Sequence, residues 1–211
     1  MDLLARVAIG VIIILVIAGV VYAFASVAAL AQKALNQSQA VQIVMKDLRT
    51  SAQNAQIGLI NVSASKLKND SWNVVLSIAY NSTRACPTLL IESFDYPATG
   101  LVPSVENVYT QGCAIYGLNN APGYVVGSPY IAMVEAYNSG LTFKNYVDRY
   151  GYNTTFVSAK FYPSVVANYT PLSQPFSNVW IVNYSAPLSP VNQYAVLYQN
   201  GTFAANYTLG K

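Results

Sequence analysis

The sequence lacks histidine and has few charged residues. Only 9% of its 211 residues are Asp, Glu, Lys or Arg, against roughly 25% in an ordinary soluble domain. Without histidine there is no Ser-His or Cys-His nucleophile pair, and two cysteines alone do not complete a zinc site. The sequence also contains no Gly-rich phosphate loop and no calcium-binding loop. We therefore expect no enzyme activity, no cofactor and no bound metal.

The charges that are present are scattered along the chain. Glu92 and Asp95 are the closest pair of carboxylates, but residues three apart on a strand point to opposite faces, whereas a glycosidase needs both in one cleft. Eleven Lys and Arg give a net charge of +3 without forming a basic run, so we expect no nucleic-acid ligand. A surface of hydroxyls and amides with few titrating groups suits an acidic hot environment, and it suits a glycoprotein equally well.

Residues 7–31 form a long apolar run, and no charged residue lies between Arg6 and Lys33. This run is longer than the about 20 residues that a helix needs to cross hydrocarbon, while a cleavable signal has only about 7–15 apolar residues. Since the chain begins at Met1, we interpret residues 1–32 as an uncleaved transmembrane signal-anchor. A lipid membrane is therefore an expected partner.

The Asn-x-Ser/Thr sequon occurs nine times, although about two or three are expected by chance from 18 Asn in this composition. Glycan acceptors have a use only on an exported surface. Asn36 lies too near the apolar run to be a good acceptor. The predicted N-glycan sites are Asn61, Asn69, Asn81, Asn153, Asn168, Asn183, Asn200 and Asn206.

The orientation across the membrane depends on signals that disagree. The basic residues flanking the apolar run, Arg6 against Lys33, Lys46 and Arg49, slightly favour a cytoplasmic C-terminal region. The sequons favour export, and so does a disulfide predicted between Cys86 and Cys113, the two cysteines of the chain. Such a bridge stabilises by roughly 3–4 kcal/mol in the loop-entropy model. We give the sequons and cysteines more weight than the charge count.

Residues 32–56 contain no Pro or Gly and are rich in helix-forming residues. An alternating four–three spacing places Val41, Met45, Leu48 and Ala52 on one heptad-like stripe. We predict a helical stalk over residues 33–57, continuous with the apolar run, whose stripe packs against another subunit. The alternative is that this helix lies on its own β-domain.

After Gly58 the apolar period changes to two, and β-branched and aromatic residues become frequent. The predicted strands are residues 59–64, 72–80, 88–94, 105–116, 130–137, 155–161, 178–184, 194–199 and 202–207. Asn200-Gly201 predicts a type I′ hairpin. The expected fold is mainly β with one long N-terminal α-helix. Residues 58–211 would form an extracytoplasmic antiparallel β-sandwich, jelly-roll-like, behind a transmembrane helix.

The chain contains 17 tyrosines, nearly all of them in the β-rich region. Tyrosine combines a large contact area with a hydroxyl group, which suits subunit interfaces and sugar binding. It also packs well on sheet faces. We expect packing to be the role of most of these tyrosines.

An apolar N-terminal run that leads into an amphipathic helix and then a β-rich region, here residues 7–56 and 59–207, resembles archaeal type IV pilins and archaellins. A prepilin has a short basic leader, whereas here only Arg6 precedes the run, and a processed subunit would lack Met1. The same anchor, with an Asn-, Tyr- and Ser-rich β region and many sequons, also resembles virion surface proteins of crenarchaeal viruses, including spindle-shaped ones. The retained Met1 favours the second resemblance.

These features together predict a structural subunit of an extracellular assembly from a thermoacidophilic archaeon or its virus. We expect a membrane-anchored virion protein, of envelope or tail, on the extracellular face. The expected partners are the membrane, copies of the same chain, other structural subunits and covalent N-glycans. The alternatives are a pilin-like filament subunit and, from a different class, a cell-surface adhesin or sugar-binding module.

Overall fold

The computed structural model describes residues 35–51, 56–116, 125–163 and 175–211. These residues form two antiparallel sheets and three short helices. The apolar run at residues 7–31, and with it the predicted signal-anchor, lies outside the described residues.

The first sheet, sheet A, contains five strands that pair in sequence order. They are β1 (Ile57–Lys66), β2 (Trp72–Tyr80), β3 (Thr88–Tyr96), β4 (Ser104–Gln111) and β5 (Ala114–Ile115). A 3-10 turn at Lys68–Asp70 connects β1 to β2. The register pairs Lys66 with Trp72 at one end of the β1–β2 ladder and Ile57 with Tyr80 at the other.

The second sheet, sheet B, contains four strands, which also pair in sequence order. They are β6 (Phe156–Tyr162), β7 (Val179–Ser185), β8 (Val191–Tyr198) and β9 (Phe203–Gly210). The hairpin between β8 and β9 turns at Asn200-Gly201, as the sequence predicts. The turn type differs from the prediction, because only Gly201 has a positive φ (82°) and a type I′ turn needs two such residues.

The helices are α1 (Gln37–Ser51), α2 (Pro129–Asn138) and α3 (Leu141–Tyr150). Helix α1 begins at a capping box, in which the Gln39 N–H donates to Asn36 Oδ1 at 2.9 Å and the Asn36 N–H donates to Gln39 Oε1 at 3.1 Å. Helix α2 begins in a similar way, since the Ser128 hydroxyl accepts a hydrogen bond from the Tyr130 N–H and Pro129 occupies the first turn.

Two main clusters of buried side chains connect these elements. One lies between α1 and a face of sheet A, where Val74, Leu76 and Ile78 are fully buried. The other is the central core, in which α2 and α3 pack on the inner face of sheet B and meet one end of sheet A around Ala79 and Leu89. A smaller cluster, including Val179, Val196 and Tyr207, lies on the outer face of sheet B.

The predicted fold class, a jelly-roll-like sandwich behind one long N-terminal transmembrane helix, is wrong. A jelly roll needs strands that cross between sheets, whereas the described strands of each sheet are consecutive in sequence and pair in sequence order. The described helix begins at Gln37, after the non-helical Leu35 and the capping residue Asn36. What remains correct is a mainly β, antiparallel structure.

Most strand positions are confirmed, and β2 has the predicted bounds. The predicted strand at residues 130–137 is wrong, since this segment forms α2. Helix α3 was not predicted at all. In α2 the residues Ile131, Ala132, Met133, Val134 and Ala136 are all buried. A helix that buries most of its circumference has no polar face and therefore no helical periodicity to detect.

Candidate functional site

The predicted assembly stripe lies mainly against the chain's own sheet. Three residues of α1, Ala40, Val44 and Leu48, are buried against sheet A. Val41 and Met45 of the same helix are half-buried and pack against the same cluster. Ala52 lies outside the described residues. The prediction that this stripe packs on another subunit, as a separate stalk, is therefore corrected. The physical reason is that the apolar face of sheet A is stabilised when another element shields it from water, and the helix that precedes β1 packs on it.

The beginning of α1 is fastened to one end of sheet A. The Trp72 indole Nε1–H donates to the Leu35 carbonyl at 2.7 Å, and the Gln37 side-chain amide donates to the Ala64 carbonyl at 2.9 Å. These bonds fix the point at which the chain enters the domain, beside the β1–β2 connection. Sequence analysis did not identify this contact, because Leu35 and Trp72 are 37 residues apart.

Five of the predicted glycan acceptors have exposed side chains. Asn81, Asn153 and Asn200 lie in turns, and Asn61 and Asn206 lie on β1 and β9, the edge strands of the two sheets. A turn or an edge leaves room for a bulky glycan and for the enzyme that attaches it.

The remaining predicted acceptors differ in their surroundings. Asn183 lies on β7 inside sheet B, and its Oδ1 is buried without a hydrogen-bond partner. This burial argues against a glycan at Asn183. Asn69 is part of the 3-10 turn between β1 and β2, and Asn168 lies outside the described residues.

The structure places Cys86 and Cys113 in a disulfide with a Cα–Cα distance of 4.8 Å. Cys86 lies just before β3 and is buried in the central core, while Cys113 lies in the turn between β4 and β5. The Cys113 carbonyl also accepts a hydrogen bond from the Asn138 side-chain amide at 2.8 Å. The bridge therefore joins the β2–β3 connection to the β4–β5 turn, and the Asn138 hydrogen bond links this end of sheet A to the C-terminus of α2.

Glu92 is a buried carboxyl group on the face of sheet A that α1 covers. It is 5% exposed, and the Tyr80 hydroxyl donates to its Oε1 at 3.1 Å. Burial raises the pKa of Glu92, and the hydrogen bond from Tyr80 opposes this shift. Burial and the neighbouring carboxylate raise the pKa of Tyr80 to about 12. Sequence analysis missed this pair, since the two residues lie on adjacent strands.

Asp95, the carboxylate closest to Glu92 in the sequence, is not part of this site. Asp95 lies on the opposite face of β3 from Glu92, where the Asn73 amide donates to Asp95 Oδ1 at 2.7 Å. The two carboxylates therefore do not face one cleft. No group of three His, Cys, Asp or Glu that could hold a metal occurs within residues 35–51, 56–116, 125–163 and 175–211.

The tyrosines of the central core act mainly in packing. Tyr184 is fully buried, and its hydroxyl donates to the Met133 carbonyl at 3.2 Å. Tyr146 donates similarly to the Val191 carbonyl at 3.0 Å. On the outer face of sheet B, the rings of Tyr194 and Tyr207 stack in parallel with their centroids 4.7 Å apart. Burial, together with the neighbouring Tyr194 and Tyr162, raises the pKa of Tyr207 to about 12.

None of the helices in the described part of the chain has the length and apolar character that crossing a bilayer requires. Comparisons with protein-family models, with curated proteins and with solved structures give no match. The functional argument therefore depends on the residues of this chain.

Proposed function

We propose that the protein is a structural subunit of an extracellular assembly, and specifically a membrane-anchored virion protein of an archaeal virus. It would belong to the envelope or the tail, with residues 7–31 embedded in lipid and the β-rich region on the outside. Its partners would be the membrane, copies of itself, other structural subunits and N-linked glycans.

The observation that carries this proposal is the placement of the sequons. Three of them, Asn81, Asn153 and Asn200, lie in turns with exposed side chains. A buried or helical placement would argue that the sequons arose by accident in an Asn-rich chain. Their exposure, together with the disulfide between Cys86 and Cys113, supports an exported protein.

The beginning of α1 favours a virion protein over a pilin-like filament subunit. The resemblance to pilins implies an apolar helix that runs straight into the amphipathic helix. Here the capping box of Asn36 and Gln39 marks the beginning of α1, and Leu48 belongs to the core of its own domain. A helix used in this way is not available as a filament core.

Sugar binding receives less support from the tyrosines. Stacking on a sugar needs an exposed aromatic face. Tyr207 is 9% exposed and stacks on Tyr194, and of the exposed Tyr116, Tyr152 and Tyr198, Tyr152 has its hydroxyl bound to the Cys86 carbonyl. The described core tyrosines use their hydroxyls within the domain. We therefore favour a structural role over an adhesin or sugar-binding module.

Fractionation of the native source tests the proposal. Particles released into the medium are separated on a density gradient from sheared filaments and from cell envelopes, and each fraction is searched for this chain by mass spectrometry. We expect the chain in the virion fraction, released from it by mild detergent. Recovery only with filaments or only with cell envelopes would overturn the virion assignment in favour of the pilin or adhesin alternative.

A further inference from the structure

We propose that one end of sheet A, formed by the β1–β2 and β3–β4 connections, lies against the headgroup layer of the lipid bilayer. We call this end the membrane-facing end, and define it by Leu67, Lys68, Trp72, Tyr96 and Val102. The inference rests on the proposed anchoring of residues 7–31 in lipid, and it adds which surface of the domain the lipid contacts.

The connection between the apolar run and the domain is short, and this limits how far the domain can lie from the bilayer. Leu35 is held at this end by the indole of Trp72, at 2.7 Å from its carbonyl oxygen. Only three residues separate Ala31, the last residue of the run, from Leu35. Even fully extended, a chain of this length reaches only about 14 Å. The domain therefore cannot move far from the bilayer if the run is embedded in it.

The part of the domain beside Leu35 is the end of sheet A that carries the β1–β2 and β3–β4 connections. The pairing of Lys66 with Trp72 places the β1–β2 connection at this end, and the pairing of Trp72 with Tyr96 adds the connection that follows β3. Helix α1 has 15 residues, which corresponds to roughly 22 Å along its axis, and it leads away from this end. The turn at Asn81 and the disulfide at Cys86 lie beyond the opposite end, next to Tyr80.

The third argument is the chemistry of the exposed side chains. Val102, in the β3–β4 connection, is 69% exposed, and Leu67, between Lys66 and Lys68, is 36% exposed. Lys66 forms an ion pair with Asp70 at 3.1 Å, and Lys68 is exposed beside it. Surfaces that lie at a membrane interface typically combine exposed apolar side chains, Trp and Tyr at the level of the headgroups, and lysines that reach the headgroups.

Tryptophan quenching by labelled lipids tests this inference on the full chain. The protein is reconstituted into phosphatidylcholine vesicles that contain phosphatidylglycerol and a lipid with a spin label on its headgroup. Two variants each add one tryptophan at an exposed position: Val102→Trp at the membrane-facing end, and Tyr152→Trp as the matched control. Tyr152 is 39% exposed and its hydroxyl donates to the Cys86 carbonyl, which places it beyond the other end of sheet A.

We expect the fluorescence added at position 102 to be quenched several-fold more strongly than that added at position 152. Replacing Trp72 by Phe in the native chain should also remove a quenchable part of the signal, since Trp180 is buried in the central core. Equal quenching at positions 102 and 152 would overturn the inference.

Flotation of the same vesicles separates this outcome from failure of the proposed function. A chain that floats with the vesicles but shows no preference for position 102 is anchored, with a different surface towards the lipid. A chain that does not float contradicts the anchoring itself, and the inference about the membrane-facing end is then also rejected.

Discussion

Along most of β2 in sheet A only one face is fully buried, whereas β7 in sheet B has fully buried residues on both faces. On β2, the alternate residues Val74, Leu76 and Ile78 are fully buried under α1, while Val75 and Ser77 on the other face stay half-exposed. On β7, Val182 and Tyr184 are buried towards the helices, and Val179 is equally buried on the opposite face. Polar residues such as Asn73 and Asp95 therefore have room on sheet A.

The two sheets therefore differ in the contacts that stabilise them. Sheet B has buried apolar side chains on both sides, in the central core and in the smaller cluster on its outer face. Sheet A depends on one short helix for its cover, and it carries the point where the chain enters the domain. Damage to the α1 contact should therefore affect sheet A first, and each of the following experiments tests this asymmetry.

The largest effect is expected from Leu48→Asp. This change places an unpaired carboxylate in the cluster between α1 and sheet A, and we expect a loss of about 4 kcal/mol or more in the free energy of unfolding. The matched control is Gln42→Asp, at an exposed position of the same helix, which should change stability by less than about 0.5 kcal/mol. Denaturant unfolding measures both. Equal stability of the two variants would mean that α1 does not cover sheet A.

Removal of the disulfide should have the next largest effect. The sequence separation of 27 residues between Cys86 and Cys113 predicts a loss of about 3–4 kcal/mol in the Cys86→Ser/Cys113→Ser variant by the loop-entropy model. Hydrogen exchange should show that β4 and β5 of sheet A lose protection before β7 and β8. Peptide mapping without reduction gives the direct check, and two free thiols there would contradict the bridge.

Four Val→Ala changes compare the faces of the two sheets directly. We expect Val74→Ala, Val179→Ala and Val182→Ala each to cost about 2 kcal/mol, since two buried methyl groups are removed and a cavity remains. Val75→Ala, on the half-exposed face of sheet A, should cost less than about 1 kcal/mol. Chemical denaturation of all four variants gives the comparison. A Val75 effect as large as that of Val179 would show that both sheets are covered on both faces.

The smallest effect is a pH dependence that originates in sheet A. Burial raises the pKa of Glu92 above its ordinary value of 4.5. The folded state therefore binds the proton more tightly than the unfolded state. The resulting stability is fully present below pH 4.5 and is lost as the pH rises through the folded-state pKa. Glu92→Gln should remove this part of the pH dependence, and Glu106→Gln, at an exposed position, should retain it. Thermal unfolding between pH 3 and 8 measures the difference, and identical profiles for the two variants would contradict it.

The strands were largely predictable because their apolar pattern is local. Trp72–Tyr80 alternates clearly, and Val179–Ser185 is a short apolar run between turn residues. The helix at Pro129–Asn138 was mistaken for a strand, since its β-branched and aromatic residues are buried on most sides. Ser128-Pro129 and the Asn36–Gln39 spacing are helix-start signals that the sequence does contain. In the first segment the apolar and β-branched composition favours a strand, and around Asn36 the absence of Pro and Gly favours an uninterrupted helix.

The candidate sites were predictable only where the sequence motif itself carries the chemistry. The sequons at Asn81 and Asn200 can be identified from three residues each, but the burial of Asn183 Oδ1 depends on the two neighbouring strands. The stripe of Val41, Met45 and Leu48 indicates an apolar helix face and does not indicate what covers it. The Tyr80–Glu92 pair and the contact of Trp72 with Leu35 exist only because strands and helix are brought together by folding.

Glycopeptide mass spectrometry of the chain isolated from its native source tests the central claim, that the β-rich region is exported, most directly. We predict glycans at one or more of Asn81, Asn153 and Asn200, and an unmodified Asn183. The controls are Asn→Gln variants at the positions found modified, each of which should lose the mass of one glycan. Unmodified asparagine at all three exposed turns, in protein from the native source, would contradict the account.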